Sequence, residues 1–307
     1  MRSLCVVYAW FMRDLCVKTY LFFKPIRQAN PDKRLYMLAF QIIKNLFNVF
    51  PKRKTMKPPV KIPIEKLTEE PYASVLCYPR SDPPVPENRI SELKELGVTA
   101  VEFTGSGMAA NMPVLGKGYS GVVIIAYAGG ERRALKIRRT DSGREDLFHE
   151  AEMLQKANLA GVGPKFMAAS KNFLLSQLVD GGLLTKWLEN HKEKAAFQRA
   201  IGDILEQCRR LDEAGLDHGE LSRASGHLLT DKTGKPFIVD FGAASVLRKA
   251  ANVTSVCQHL FIGNGIVQRM VEEVSGKKDK SQIVSALRDY KKERSENHFE
   301  ALLQACL

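Results

Sequence analysis

The chain of 307 residues is 45% hydrophobic and 26% charged, which supplies a packed core for one large or two small domains and excludes an intrinsically disordered protein. Its formal charge of +12 is unevenly placed: residues 1–60 hold 12 Lys/Arg and 2 Asp/Glu, a surplus of 10, and residues 61–307 hold the remaining 34 and 32, a surplus of 2. Whatever the basic surplus does, contact with RNA, an RNA-processing partner or anionic lipid or nothing at all, therefore belongs to the first 60 residues and not to the body. The six cysteines, Cys5, Cys16, Cys77, Cys208, Cys257 and Cys306, form no CxxC pair and stand apart from clustered histidines, which speaks against a disulfide framework or zinc site and for a reducing, cytoplasmic location.

From Ser3 to Met12 a mostly apolar stretch follows Arg2. It is too short to cross a bilayer and lacks a small-residue cleavage site, so neither a membrane span nor secretion is expected. Residues 35–50, LYMLAFQIIKNLFNVF, carry only Lys44 as a charge and have the pattern of a helix lying on a membrane or on a partner, though a stretch with neither role is the more expected reading and membrane contact is not expected. PKRKTM at 51–56 reads as a linker closing a basic N-terminal extension, 1–56, and Met56 is a second candidate start, which would make residues 1–55 a translated upstream sequence without a selected fold. A leader covers 57–110. Its proline-rich part, 57–90, predicts extended, turn-punctuated chain. From Asn88 to Gly97 an N-cap candidate, apolar residues at Ile90, Leu93 and Leu96, and a closing glycine predict a short helix.

Beyond residue 110 short apolar strands give way to helices, the order of an α+β protein with a small antiparallel sheet at 111–178 and a reduced helical part at 179–307. Strands are predicted at 120–128, 132–138 and 172–179, with a hairpin turn from Ala128 to Glu131. Helices are predicted at about 143–158, 184–189, 194–214 and 281–305. The turn Asp231–Gly234 separates two short strands, His227–Thr230 and Pro236–Val239.

Three motifs carry chemistry. GKGYSGVV, from Gly116 to Val123, is a GxGxxGxV loop that runs on into the β-branched VVIIAYA. A dinucleotide fingerprint would open into a helix; here Gly116, Gly118 and Gly121 are placed to fold over triphosphate oxygens, with Leu115 and Val123 beside the base. On the next strand Ala134 and Lys136 share one face, alanine leaving room for the base and lysine reaching the α- and β-phosphates. The following helix offers Glu150 as the anion for that lysine, with Glu152 as the alternative. An apolar strand then ends in Asp240-Phe241-Gly242, where Asp240 is the candidate magnesium ligand.

In this order the motifs resemble those of protein kinases. Glu150–Leu154, Ala160–Pro164, the pair Gly181 and Gly182, and His218-Gly219 resemble the small atypical branch that includes RIO kinases and the kinase of the KEOPS tRNA-modification complex. The runs Glu92–Gly97, Leu115–Gly118, Lys136–Arg139, Gly161–Pro164 and His218–Ser222 look like the archaeal group described as predicted serine/threonine protein kinases. The resemblance covers about residues 90–307 and not the first 60. It implies a two-lobed protein-kinase-like fold, with an antiparallel β N-lobe and a reduced helical C-lobe, and ATP- and magnesium-dependent phosphoryl transfer to a protein serine or threonine.

The chain departs from that pattern in its catalytic loop. Kinases carry HRD followed after four intervening residues by asparagine, whereas His218-Gly219-Glu220 puts glutamate at the place of the base and Ser225 at the place of that asparagine. Glu220 keeps a carboxylate able to accept a hydroxyl proton, one methylene further out. A second metal ligand would be Ser225 by counting or His227 by its place before the next strand. No Ala-Pro-Glu follows Gly242, and the 65 residues from there to Leu307 (307 − 242) leave no room for a long activation segment. Two other readings draw on the same features: an ATP-binding switch or ATPase subunit of an RNA-processing assembly, and a small-molecule phosphotransferase.

Overall fold

The computed structural model describes residues 60–80 and 85–307. The readings of Ser3–Met12, 35–50 and 51–56 lie outside them.

The described chain is α+β. Strands β1 (Ile62–Pro63), β2 (Val98–Glu102), β3 (Gly107–Ala109), β4 (Met112–Val114), β5 (Gly116–Lys117), β6 (Gly121–Ala128), β7 (Glu131–Arg138), β8 (Phe166–Ala169) and β9 (Phe173–Gln177) precede β10 (Gly181–Leu183), β11 (Leu228–Asp231) and β12 (Pro236–Ile238). The main sheet runs β1-β2-β6-β7-β9-β8, with β5 added to β6; β10, β11 and β12 form a second sheet and β3 and β4 a hairpin. Every pairing among the described strands is antiparallel. The β6–β7 hairpin turns at Gly129 and Gly130, whose φ values of 59° and 78° are those a two-residue turn needs to match the strand twist.

Strand alternation gives the main sheet two different faces. Val122, Ile124, Ala126, Leu135, Ile137, Phe173 and Leu175 point into one apolar core, shared with residues from the leader such as Ile64, Leu67, Leu76 and Leu93. Cross-strand partners Val123, Lys136 and Leu174 take the other face. A second core is built by the helices α3 (Phe148–Leu159), α4 (Leu184–Asn190), α5 (Lys194–Glu213), α6 (Asn252–Cys257), α7 (Ile266–Ser275), α8 (Lys280–Lys292) and α9 (Glu296–Cys306), which follow α1 (Tyr72–Leu76) and α2 (Val85–Glu95). In α5, Phe197, Ile201, Ile204, Leu205, Cys208 and Leu211 recur at helical spacing and are all buried, so the amphipathic stripe faces the core.

Several expectations need correction. The described part of 57–90 is not irregular: residues 60–80 and 85–90 hold β1, a 3₁₀ turn at Ile64–Thr68, α1 and the start of α2. Burial of Ile64, Leu67, Ala73, Val75 and Leu76 overrides the proline content, and Pro86 sits in the first turn of α2, where a missing N–H costs nothing. Asn88 is inside α2, so it is not the cap, while Gly97 ends the segment with φ 71°. Residues 98–102, read as leader, are a strand of the main sheet. The helix placed at 143–158 starts only at Phe148, leaving Thr140–Leu147 as a loop. The long helix placed at 281–305 is two, because Ser295 accepts from the His298 N–H and caps a new start. The helices α6 and α7, and the π turn Gln258–Ile262 between them, had no sequence signal strong enough to place them. Among the described residues no helix is long and apolar enough to cross a membrane.

Candidate active site

The glycine loop is a strand hairpin, as its β-branched continuation requires. Gly116 pairs with Val123, the Leu115 N–H donates to the Val123 carbonyl at 2.9 Å, and the Gly118 N–H closes the tip on the Gly121 carbonyl at 2.9 Å. Space around the glycines differs. No atom lies within 4 Å of a Cβ built on Gly116, and a Cβ on Gly118 meets only the Gly121 carbonyl at 4.0 Å, so both face open ground. Gly121 is crowded instead: its Cβ would stand 2.9 Å from the Ile137 carbonyl oxygen and 3.0 Å from Lys136 Cε. The lysine stem crosses the bare face of this glycine, which aims the ammonium away from the sheet.

Ala134 lies opposite Ile125 and Lys136 opposite Val123, so alanine and lysine share the face that sequence alternation assigned to them. Lys136 Nζ donates to both carboxylate oxygens of Glu150 at 2.7 Å and to Asp240 Oδ1 at 2.9 Å. Of the two glutamates on α3, Glu150 is therefore the lysine's partner; Glu152 is exposed and pairs with Lys156 one turn on, at 2.9 Å. Burial pulls the Lys136 ammonium down, but the two carboxylates outweigh it and the net shift is upward. Burial pushes the Glu150 carboxyl up, opposed by Lys136. For Asp240 burial also pushes upward, yet Lys136 prevails and holds the carboxyl at about 2, so it is ionised at neutral pH.

Asp240 has a left-handed backbone, φ 67° and ψ 73°, at the end of the strand segment and ahead of the 3₁₀ turn Phe241–Ala243. That conformation is uncommon for a residue with a Cβ and, at a functional site, is held by its surroundings. Phe241 is buried, stacks edge-on with His218 at 5.0 Å between ring centroids, and lies against Gly163.

The catalytic-loop candidate, Glu220, follows Gly219 at φ 87°. A Cβ on Gly219 would meet Arg248 Nη2 and the Ala243 carbonyl oxygen, which explains why the residue ahead of the acid is glycine here. Glu220 is half exposed, with Oε2 3.6 Å from His227 Nε2. Ser225 is exposed on the 3₁₀ turn Leu221–Gly226 and makes no side-chain hydrogen bond among the described residues. Of the two candidates for a second metal ligand, His227 is the one beside the acid. Among the described residues no group of three His, Cys, Asp or Glu converges as a ready metal-ligand set.

Sequence reasoning missed the polar frame beneath this loop. Asn252 Oδ1 accepts from the His218 N–H at 2.8 Å; the Asn252 N–H and Nδ2 donate to Asp212 Oδ1 at 2.7 and 2.8 Å, and Nδ2 also to the Leu216 carbonyl at 2.8 Å. All three side chains, Asp212, His218 and Asn252, are buried. Asp217 adds a clamp, exchanging backbone hydrogen bonds with Ser245 at 2.9 and 2.8 Å and accepting from Arg248 Nε at 2.9 Å. No motif spacing signals these contacts, which join residues 34 and 40 positions apart. Asn252→Ala leaves the His218 N–H and the Asp212 carboxylate short of buried partners, and is expected to destabilise the chain by about 2–3 kcal/mol; urea denaturation measures it, and an unchanged midpoint would refute the account of this frame.

Two shallow depressions lie elsewhere, one lined by Lys156, Leu159, Ala214, Leu216 and Val246, the other by the segment Gln177–Asp180 and the Asp231–Thr233 turn. Neither is lined by Lys136 or Asp240; the convergence of charged groups marks the site. Comparison with protein-family models gives no match, and comparison with curated proteins gives none either.

Proposed function

We propose that the chain is an atypical serine/threonine protein kinase, transferring the γ-phosphoryl group of ATP with magnesium from a two-lobed, protein-kinase-like fold. The observation that carries this reading is the meeting of Lys136 with Glu150 and with Asp240, 104 residues away in sequence, at 2.7 and 2.9 Å. A glycine hairpin, a strand lysine, a helix glutamate and the aspartate of a DFG turn are four independent signals, and a nucleotide triphosphate is the ligand whose charges they suit together.

The residues fit such a ligand. Gly116 and Gly118 leave open space beside the hairpin where the phosphates would lie; Leu115, Val123 and Ala134 border the place of the base; Lys136 supplies charge for the α/β end. Asp240 is an ionised hard oxygen donor, the type magnesium prefers, and the phosphates would supply further negative ligands. ATP would supply an activated phosphoryl group, and magnesium held by Asp240 would neutralise part of the charge that develops on it. Glu220 accepts the proton of the attacking hydroxyl, with His227 next to it.

The test is γ-labelled ATP turnover by the full chain in magnesium, with Glu220→Gln and Asp240→Asn alongside. Label on protein in the wild type, reduced about 100-fold or more in each variant, is the expected result. Inorganic phosphate without labelled protein would instead identify a nucleotide switch or ATPase subunit, and label in the small-molecule fraction a small-molecule phosphotransferase.

A further inference from the structure

Gly242 lacks a side chain, and its neighbours occupy the space. A Cβ there would collide with Arg144 Nη1 and stand 3.0 Å from Glu150 Oε2. Arg144 Nη1 is 3.9 Å from the same carboxylate oxygen, is shielded from solvent, and has no hydrogen-bond partner among the described residues. Its loop is fixed in place: Arg138 Nη1 donates to the Arg144 carbonyl at 3.1 Å, the Arg144 N–H donates to Ser142 Oγ at 3.2 Å, and Arg138 is held by Asn172 Oδ1 at 2.9 Å.

Four formal charges thus share one volume, Lys136 and Arg144 against Glu150 and Asp240. Lys136 is spread over three carboxylate oxygens, and no further ammonium proton is free for another acceptor. For Lys136 to reach phosphate oxygens it must release part of this hold. Glu150, only 4% exposed at its side chain, would then carry a buried charge with its main counter-ion partly withdrawn, a state that is costly unless another cation stands by.

We propose that Arg144 is that cation: a positioning residue that keeps Glu150 ionised and facing the cleft while Lys136 turns to the phosphates. The proposal rests on the nucleotide reading above. It also gives the glycine of the DFG turn a further reason in this chain, since Gly242 leaves the gap through which Arg144 and Glu150 approach each other.

The test is a double-mutant cycle on the full chain, measuring magnesium–ATP affinity by calorimetry for the wild type, Arg144→Met, Glu150→Gln and the double variant, with Arg144→Lys as the conservative control. Arg144→Met is expected to weaken binding about tenfold at pH 7, Arg144→Lys to restore most of it, and Arg144→Met in the Glu150→Gln background to cost less than about twofold. In Arg144→Met the acid limb of the affinity profile should also move to higher pH, because the carboxyl that burial already pushes up loses a cation that lowers it. Equal losses in both backgrounds, or an acid limb that stays where it was, would overturn the proposal. If the wild type binds no magnesium–ATP, the nucleotide reading itself fails. Urea denaturation of the same variants then decides the pairing alone: a coupling of about threefold or more in the unfolding constant upholds it, and additivity removes it.

Discussion

Lys136→Met is expected to lower the stability of the ligand-free chain by about 3–5 kcal/mol, the usual cost of removing one partner from a buried ion pair, besides removing nucleotide binding. The methionine stem refills the space over Gly121, so the loss is electrostatic and not a cavity. What remains is Glu150, its side chain 4% exposed, with Arg144 3.9 Å away as its nearest cation. Glu150→Leu placed on top of Lys136→Met removes the stranded carboxylate and should recover most of the stability, though none of the binding. Urea denaturation at pH 7 separates the two. A single variant as stable as the wild type would mean that Glu150 is neutral in the folded chain and that the 2.7 Å contact is not an ion pair.

The second large effect is a pH dependence set by His218. Its ring is fully buried, Nε2 is 3.1 Å from the Val239 carbonyl oxygen, and Nδ1 has no partner among the described residues. Burial lowers its pKa from 6.5 to about 4, aided by the neighbouring His227 and opposed by the Val239 hydrogen bond and the charges of Asp240 and Asp217. A depressed folded-state pKa means that the unfolded chain binds the proton more readily. Stability from this group is complete above pH 6.5 and is lost as pH falls toward 4, by about 3 kcal/mol over that window. His218→Phe keeps the aromatic packing on Phe241 and cannot titrate. The difference between the wild-type and variant stability curves should therefore slope between pH 6.5 and 4 and be flat above; the carboxylates and His259 titrate in both proteins and cancel. A flat difference throughout would show that His218 is not neutral and buried in the folded chain.

These two residues differ in how they could be read beforehand. Lys136, Glu150, Asp240 and the glycine hairpin were legible because each sits in a local pattern: alternation on a strand, a helix turn with Leu154 one turn on, an apolar strand ending in a polar turn. Their meeting follows once the order of elements is known. Arg144 was not legible, because it lies in a stretch that looked helical and its partner is reached through the absent side chain of Gly242. Nor were Asp212 and Asn252 legible, since a buried amide joining two helices and a loop leaves no periodic trace. Strand β2 was hidden by its position after a proline-rich segment, although its Val98 and Val101 are as buried as any core residue.

The leader carries one further consequence. Arg89, in α2, is 1% exposed; its Nη1 donates to the Leu76 carbonyl at 2.6 Å and the Arg138 carbonyl at 2.8 Å, and its Nη2 to Asn172 Oδ1 at 3.1 Å. Glu92 binds the same Asn172 through its backbone N–H at 2.9 Å and its side-chain amide. The end of the strand that bears Lys136 is therefore anchored to a helix that precedes every motif by which the site is recognised. A boundary drawn at those motifs would remove a buried guanidinium and the leader residues Ile64, Leu67, Leu76 and Leu93 from the sheet's apolar core. The smallest transplantable module of this protein is consequently longer than its chemical signature, and its limits are set by Ile62 and Leu67, not by Gly116.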